Sequence, residues 1–189
     1  NTKPMRYQRE KIVPLAKGDI LEVGIGSGLN IPFYNTSKVK KIWGLDPSEE
    51  LNEMAKKISS TSSMDIEFLL AGVEQIPLPD NSVDTVLITY TICTIPEIDL
   101  AIKEMKRVLR PEGEMIFCEH GKAPDENIVK WQNKINPYWN VIGGGCNINR
   151  DIPRLIESAG FSINFLESMY IPSTPKILGF NYWGTAIQL

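Results

Sequence analysis

The sequence contains a single histidine, His120, and only three cysteines, Cys93, Cys118 and Cys146, with no Cys-x-x-Cys pair among them. An odd, widely spaced set excludes a disulfide framework, and without paired spacing it argues against a zinc site, so no metal is expected. Unpaired thiols fit a reducing compartment, and a cytoplasmic location is expected. Excess positive charge is also missing. Twenty Lys+Arg against 23 Asp+Glu leave a net charge of −3, so the chain has no global field to hold nucleic acid. No apolar run approaches the roughly 20 residues of a membrane-spanning helix, and no integral membrane segment is expected. Residues 1–18 are locally basic, with Lys3, Arg6, Arg9, Lys11 and Lys17 against Glu10, and read as a solvated lead-in segment.

What remains is a chain of 189 residues, 42% hydrophobic and 23% charged, enough for one buried core and short for two. A single domain over 1–189 is expected. Apolar runs at 20–23, 41–45, 65–70, 83–88 and 114–118 read as strands, with later ones at 161–165 and 180–186. Between them, Leu51, Met54, Ala55 and Ile58 form one helical stripe, and Ile98, Ala101, Ile102, Met105 and Val108 another. Thr94-Ile-Pro-Glu97 reads as a capping box for the second stripe. Residues 124–139 read as irregular helix, and 153–159 as a helix closed by Gly160. Strands alternating with crossover helices imply an α/β fold: a mostly parallel sheet, helices on both faces, ligands at the strands' carboxyl ends.

The first strand runs into Glu22-Val-Gly24-Ile-Gly26-Ser-Gly28-Leu-Asn30. Side-chain-free positions let a backbone approach a ligand closely. The dinucleotide pattern G-x-G-x-x-G would place its third glycine at position 29, where Leu29 stands, so a nicotinamide cofactor fits poorly. Asp46 closes the second strand at the spacing of a ribose-binding acid, and Asp46-Pro47-Ser48-Glu49 also reads as a helix N-cap.

The acidic-x-Gly-x-Gly-x-Gly form resembles motif I of the Rossmann-like class I methyltransferases, which use S-adenosylmethionine. Ala71 to Asp84, with Glu74 and Pro79-Asp-Asn-Ser82, looks like the ubiquinone/menaquinone-type small-molecule branch, and Glu104 to Glu114 resembles its Arg-Pro-x-Gly turn. Glu119-His120, Trp131-Gln132, Asn136-Pro-Tyr138-Trp139 and Gly145-Cys146-Asn147-Ile-x-Arg150 are similar to the methyltransferase-like group that includes membrane-associated alkyl thiol S-methyltransferases.

That resemblance implies a seven-stranded sheet, S-adenosylmethionine as cofactor and a small-molecule acceptor, with a thiol one candidate. Nucleic-acid substrates are not expected; peripheral membrane contact stays open, and the oligomeric state is not read. It implies that Glu22, Gly24, Gly26, Gly28 and Asn30 hold the methionine part, Asp46 and Pro47 the ribose, and Gly72, Val73 and Glu74 the adenine side. Gly72 departs from the family by standing where an acidic residue reads the adenine amine. Thr89 and Tyr90 close strand four, where the methyl group is expected; Thr91, Cys93, Trp131, Tyr138, Trp139 and Cys146 are substrate-side candidates. Residues 120–150 would form a cap, with His120 as a candidate base. A cofactor-binding or interaction module without catalysis is the alternative.

Overall fold

In the computed structural model, residues 3–189 are described. Seven strands form one sheet in the order β3-β2-β1-β4-β5-β7-β6. These are β1 (Gly18–Val23), β2 (Val39–Leu45), β3 (Ile66–Leu69), β4 (Val83–Thr89), β5 (Leu109–His120), β6 (Phe161–Tyr170) and β7 (Phe180–Gln188). The first five run parallel, and β7 is antiparallel to both β5 and β6. Among the described residues α1 (Lys3–Ile12) precedes the sheet, and α2 (Glu49–Ser59), α3 (Ile98–Val108), α4 (Glu126–Ile142) and α5 (Ile152–Ser158) lie between its strands. No described helix is long and apolar enough to cross a membrane.

The period-2 alternation of the strands splits the core in two. Leu21, Val23, Val86, Ile88, Met115 and Phe117 face the stripes of α3 and α5, including Ile102, Met105, Ile152 and Ile156. Their neighbours Ile20, Ile42, Leu87 and Ile116 face α1 and the segment after it, through Ile12, Val13 and Tyr34. Helical cover on both faces explains why β4 is buried almost throughout and reads as a continuous apolar run. Crossovers leave in opposite directions from β1 and β4, which are paired neighbours, so a crevice opens at their carboxyl ends.

Three local expectations change. β5 begins at Leu109 rather than Glu114, because Leu109 pairs with Val83 before the register slips through the Pro111–Gly113 turn. Thr94 does not cap α3: its hydroxyl donates to Thr91 O, and Glu97 at the cap position makes no side-chain bond. The amino-terminal segment is not a solvated lead-in, since α1 buries Gln8, Arg9 and Ile12 against the sheet.

Arg9 reaches a polar network under the glycine turn. Its guanidinium donates to Asn30 Oδ1 at 2.5 Å and to Thr89 Oγ1 at 2.7 Å. Asn30 Nδ2 in turn donates to Glu22 Oε1 at 2.8 Å and to Thr89 Oγ1 at 3.0 Å. The Tyr34 hydroxyl donates to Glu22 Oε2 at 2.6 Å, so both carboxyl oxygens of Glu22 are engaged. Burial pushes the Glu22 carboxyl up to about 7 from 4.5; the Tyr34 and Asn30 bonds and the Arg9 charge oppose the rise without cancelling it.

A carboxyl whose folded value is raised stabilises the fold fully below its unfolded value, and that contribution is lost as pH rises through the folded value. Between pH 4.5 and 7, Glu22 should therefore remove on the order of 3 kcal/mol of stability, at ~1.4 kcal/mol per pKa unit. Denaturant titrations at pH 5 and pH 8 should show this fall, and Glu22→Gln should shrink it. Part of the slope should remain, because Glu119 is also buried and raised to about 7.

Candidate functional site

A cavity of about 340 Å³ opens at the crevice between the carboxyl ends of β1, β2 and β4, walled by Val23, Gly24, Asp46, Pro47, Gly72, Val73, Glu74, Thr91 and neighbours. The turn after β1 reaches it through Gly24 at φ +69°, where a Cβ would strike the Thr91 side chain. Gly26 is open on the same turn, while Gly28 is needed for packing: a Cβ there would lie 3.1 Å from Ala55 Cα on α2. A larger depression of about 770 Å³, with Lys17, Asp84 and Arg110 on its wall, lies at the opposite, amino-terminal edge of the sheet.

Asp46 stands on the cavity wall with its carboxylate already fixed. Oδ2 accepts the Gly26 N–H at 3.0 Å and Oδ1 the Ser48 N–H at 2.9 Å. Four acceptor positions on a carboxylate leave about two for ligand hydroxyls. The α2 N-cap is Ser48, whose hydroxyl accepts from Leu51 N, so the sequence-based assignment of the cap to Asp46 is two residues early. Across the cavity, the Glu74 carboxylate lies 2.8 Å from where a Gly72 Cβ would sit. An acidic group thus fills the space left by the missing side chain at 72, a placement that depends on the backbone turn over 73–75 and that no spacing rule signals.

Three residues assigned to the cofactor sit elsewhere. Glu22, Asn30 and Thr89 are all buried in the Arg9 network beneath the turn and do not line the cavity. Their polar atoms bond one another because Glu22 on β1 and Thr89 on β4 face α1 rather than the crevice, and Asn30, in the segment after β1, bonds both. Tyr90 likewise lines a second cavity and not the first. Its φ of +55° breaks the strand alternation and brings its ring to 5.2 Å from the Arg9 guanidinium. Thr91, expected on the acceptor side, lines the first cavity.

The second cavity, about 220 Å³, is walled by Met5, Tyr90, His120, Ile171, Thr174 and Leu178. Behind His120 lies a cluster the sequence spacing did not announce: the ligand atoms of Cys93, His120 and Cys146 lie within 4.8 Å of one another. His120 Nε2 is 3.2 Å from Cys146 Sγ. The Cys93 hydrogen bond, then the His120 bond and charge, pull the Cys146 thiol well below its usual value against the opposing effect of burial. Cys93 is pushed up, first by that same bond to Cys146 and then by burial. Burial would lower His120, yet the Cys146 bond and charge and the Glu119 charge raise it.

These groups come from three rim segments that are latched together. Glu119 Oε1 accepts the Thr91 and Ile92 N–H groups at 2.7 and 3.1 Å, holding the loop after β4. Asn147 donates twice to Cys93 O, from its backbone at 2.9 Å and its side chain at 3.1 Å. Arg150 donates to the carbonyls of Ile92 and Ile95. Gln132 fastens α4 to the rim, accepting from Ala123 N and donating to Gly121, Ile148 and Ile177 carbonyls. The inward helical stripe is therefore Gln132, Ile135 and Trp139, with Ile135 and Trp139 packed against the cluster of Cys93, Cys146 and Ile148. Trp131 and Tyr138 are 51% and 75% exposed and, like the other substrate-side candidates Cys93, Trp139 and Cys146, line neither cavity.

Comparison with known proteins agrees with this architecture. Residues 21–117 match the family described as a methyltransferase domain. The chain is 30% identical over 179 residues to the human thiol S-methyltransferase TMT1A, covering 93% of this chain and 72% of that protein. It is 31% identical over 169 residues to the rat thiol S-methyltransferase TMT1B, covering 85% and 68%. Among solved structures, a SAM-dependent methyltransferase of Methanosarcina mazei superposes with a TM-score of 0.72 at 17% identity, covering 90% of this chain and 92% of that one. The chain belongs to the methyltransferase domain family, as an enzyme whose methyl donor is S-adenosylmethionine.

Proposed function

We propose that this enzyme methylates the sulfur of a small, largely apolar thiol held in the second cavity. What supports this is the chemistry of that wall. Among its described lining residues, His120 is the one imidazole, and no carboxylate or lysine joins it. An alcohol acceptor needs a strong base and an ammonium must lose a proton at ~10.4, whereas a thiol ionises near 8.5 and attacks readily as thiolate. Met5, Ile171 and Leu178 offer an apolar and polarisable bed for the body of such a molecule. Both thiol S-methyltransferase relatives have acceptors of this class by name.

The first cavity has a donor set that fits S-adenosylmethionine. Bound there, the cofactor supplies an electrophilic sulfonium methyl group. The chain's own residues bind and orient. The Gly24–Gly28 turn presents bare backbone to the methionine part, Asp46 offers its free acceptor positions to the ribose hydroxyls, and Val73 covers the adenine ring with the Glu74 carboxylate at its edge. Thr91 stands against Gly24, between this cavity and the loop that carries Cys93. Alignment of acceptor and methyl group is the main contribution of the protein, of the order of 7–11 kcal/mol where it is complete. His120 marks where the acceptor sulfur approaches.

Two measurements test these assignments. Titration calorimetry with S-adenosylhomocysteine should show Asp46→Ala weakening binding about 10- to 100-fold, the loss of charge-assisted hydrogen bonds worth ~1.5–3 kcal/mol. Unchanged affinity in the folded variant would remove Asp46 from the ribose site. Incubation with methyl-labelled cofactor and a panel of one thiol, one phenol and one amine of matched shape should place label on the thiol fastest; preferential labelling of phenol or amine would overturn the proposal.

A further inference from the structure

We propose that Cys93, His120 and Cys146 form a binding site for a soft divalent cation, zinc first, with its fourth position open to the acceptor cavity. The use of that fourth position rests on the thiol acceptor argued above; the cation site itself does not. Two thiolates and one neutral imidazole are the ligand set of a catalytic zinc site that keeps a place for substrate.

The geometry is near that of a loaded site. Metal bonds of about 2.3 Å to sulfur and about 2.0–2.1 Å to nitrogen place tetrahedral ligand atoms roughly 3.5–3.8 Å apart. Here His120 Nε2 and Cys146 Sγ are at 3.2 Å, and no pair among the three exceeds 4.8 Å. Closing onto an ion requires the ligand atoms to adjust by about 1 Å.

The surroundings hold the sulfurs in that arrangement. Asn147, next to Cys146, binds the carbonyl of Cys93, so the two cysteine loops are tied at the ligands themselves. Glu119, next to His120, holds the N–H groups just before Cys93. Trp139 packs against the cluster of Cys93, Cys146 and Ile148, and its indole N–H is buried there without a hydrogen-bond partner. Cys118 is the contrast. It is equally buried, yet packs in the core with no imidazole beside it and joins no such cluster.

The position also suits the reaction. His120 lines the second cavity, while Thr91 and Thr94, on either side of Cys93, line the first. A thiol entering the open position forms a sulfur–metal bond and releases its proton to solvent, because a coordinating thiol is deprotonated. Its electron pair then forms the new S–CH3 bond as the bond from methyl to the sulfonium sulfur breaks, that pair staying on the leaving sulfur. Two thiolates balance a dication, so the buried site carries no net charge before the acceptor arrives.

The test is cobalt titration of the full chain, reduced and stripped with chelator. Expected is one equivalent bound with thiolate-to-cobalt charge-transfer absorption and the intense visible bands of a tetrahedral site, displaced by zinc. Cys93→Ser, Cys146→Ser and His120→Ala should each weaken binding by more than tenfold, while Cys118→Ala keeps it; circular dichroism checks that each is folded. Absence of charge-transfer bands in the wild-type protein, or their persistence in the Cys93→Ser/Cys146→Ser double variant, overturns the site. Addition of a small thiol should shift the visible bands, and a matched alcohol should not; cobalt bound without response to thiol overturns the open position. Cobalt binding with label going to phenol or amine in the acceptor panel would instead overturn the thiol assignment and leave the cation site standing.

Discussion

A carboxyl group buried beneath a glycine turn sets the geometry on which the site depends. Glu22 brings a titratable group into the core, which is unfavourable unless its oxygens are bonded. Satisfying them recruits Tyr34 and Asn30, and Asn30 in turn recruits Thr89 and Arg9. Those residues come from the segment after β1, from β4 and from α1, so the carboxyl ends of β1 and β4 and one face of α1 are tied at a single point. The turn above it then has one conformation available, which Asp46 completes by accepting the Gly26 N–H. Glu22 thus acts on the first cavity through the backbone it supports, and the acid at the end of β2, Asp46, is the one that stands on the wall.

Much of the fold was legible because its signals are local. Apolar runs located all seven strands, and the helical stripe of α3 gave the face that meets the sheet, whereas of the stripe read on α2 only Ala55 is buried and Met54 is exposed. The glycine turn and Asp46 were legible for the same reason: a backbone approach needs particular residues at fixed spacing. Arg9 was not. Its burial depends on α1 folding across the sheet to reach Thr89, a contact spanning 80 residues that no period or motif encodes. The direction of Glu22, Asn30 and Thr89 was missed because strand parity decides it, and a glycine turn obscures the parity of the residues beyond it. Glu74 stands in for a side chain missing at 72 only once the intervening turn is known.

Cysteine spacing was silent on this cluster for an instructive reason. Ligands on one turn announce themselves in sequence, whereas Cys93, His120 and Cys146 lie on three rim segments that the parallel topology stacks at the same end of the sheet. Residues that looked like a family signature around them, Glu119, Gln132, Asn147 and Arg150, are mostly bonded to backbone groups of neighbouring loops. Their pattern in sequence reflects a latch. Loops at a rim have few apolar contacts to fix them, so buried polar side chains that bond main-chain groups supply the rigidity that the core supplies elsewhere.

The two halves of the site meet over three consecutive residues. Thr89 ends β4 facing the Glu22 network, Tyr90 turns to the second cavity, and Thr91 faces Gly24 in the first. A regular strand would send Thr89 and Thr91 to one side and Tyr90 to the other. The left-handed φ of Tyr90 breaks that rule, at a cost of about 1–3 kcal/mol for a non-glycine residue. The surroundings hold it there: Tyr90 N bonds Cys118 O at 2.9 Å, its ring lies against Arg9, and the next two N–H groups are taken by Glu119. Arg9 is therefore shared between the support of the glycine turn and that of Tyr90 on the wall of the second cavity. A displacement of α1 would move both at once, so the amino-terminal helix is as much a part of the site as the loops that line it.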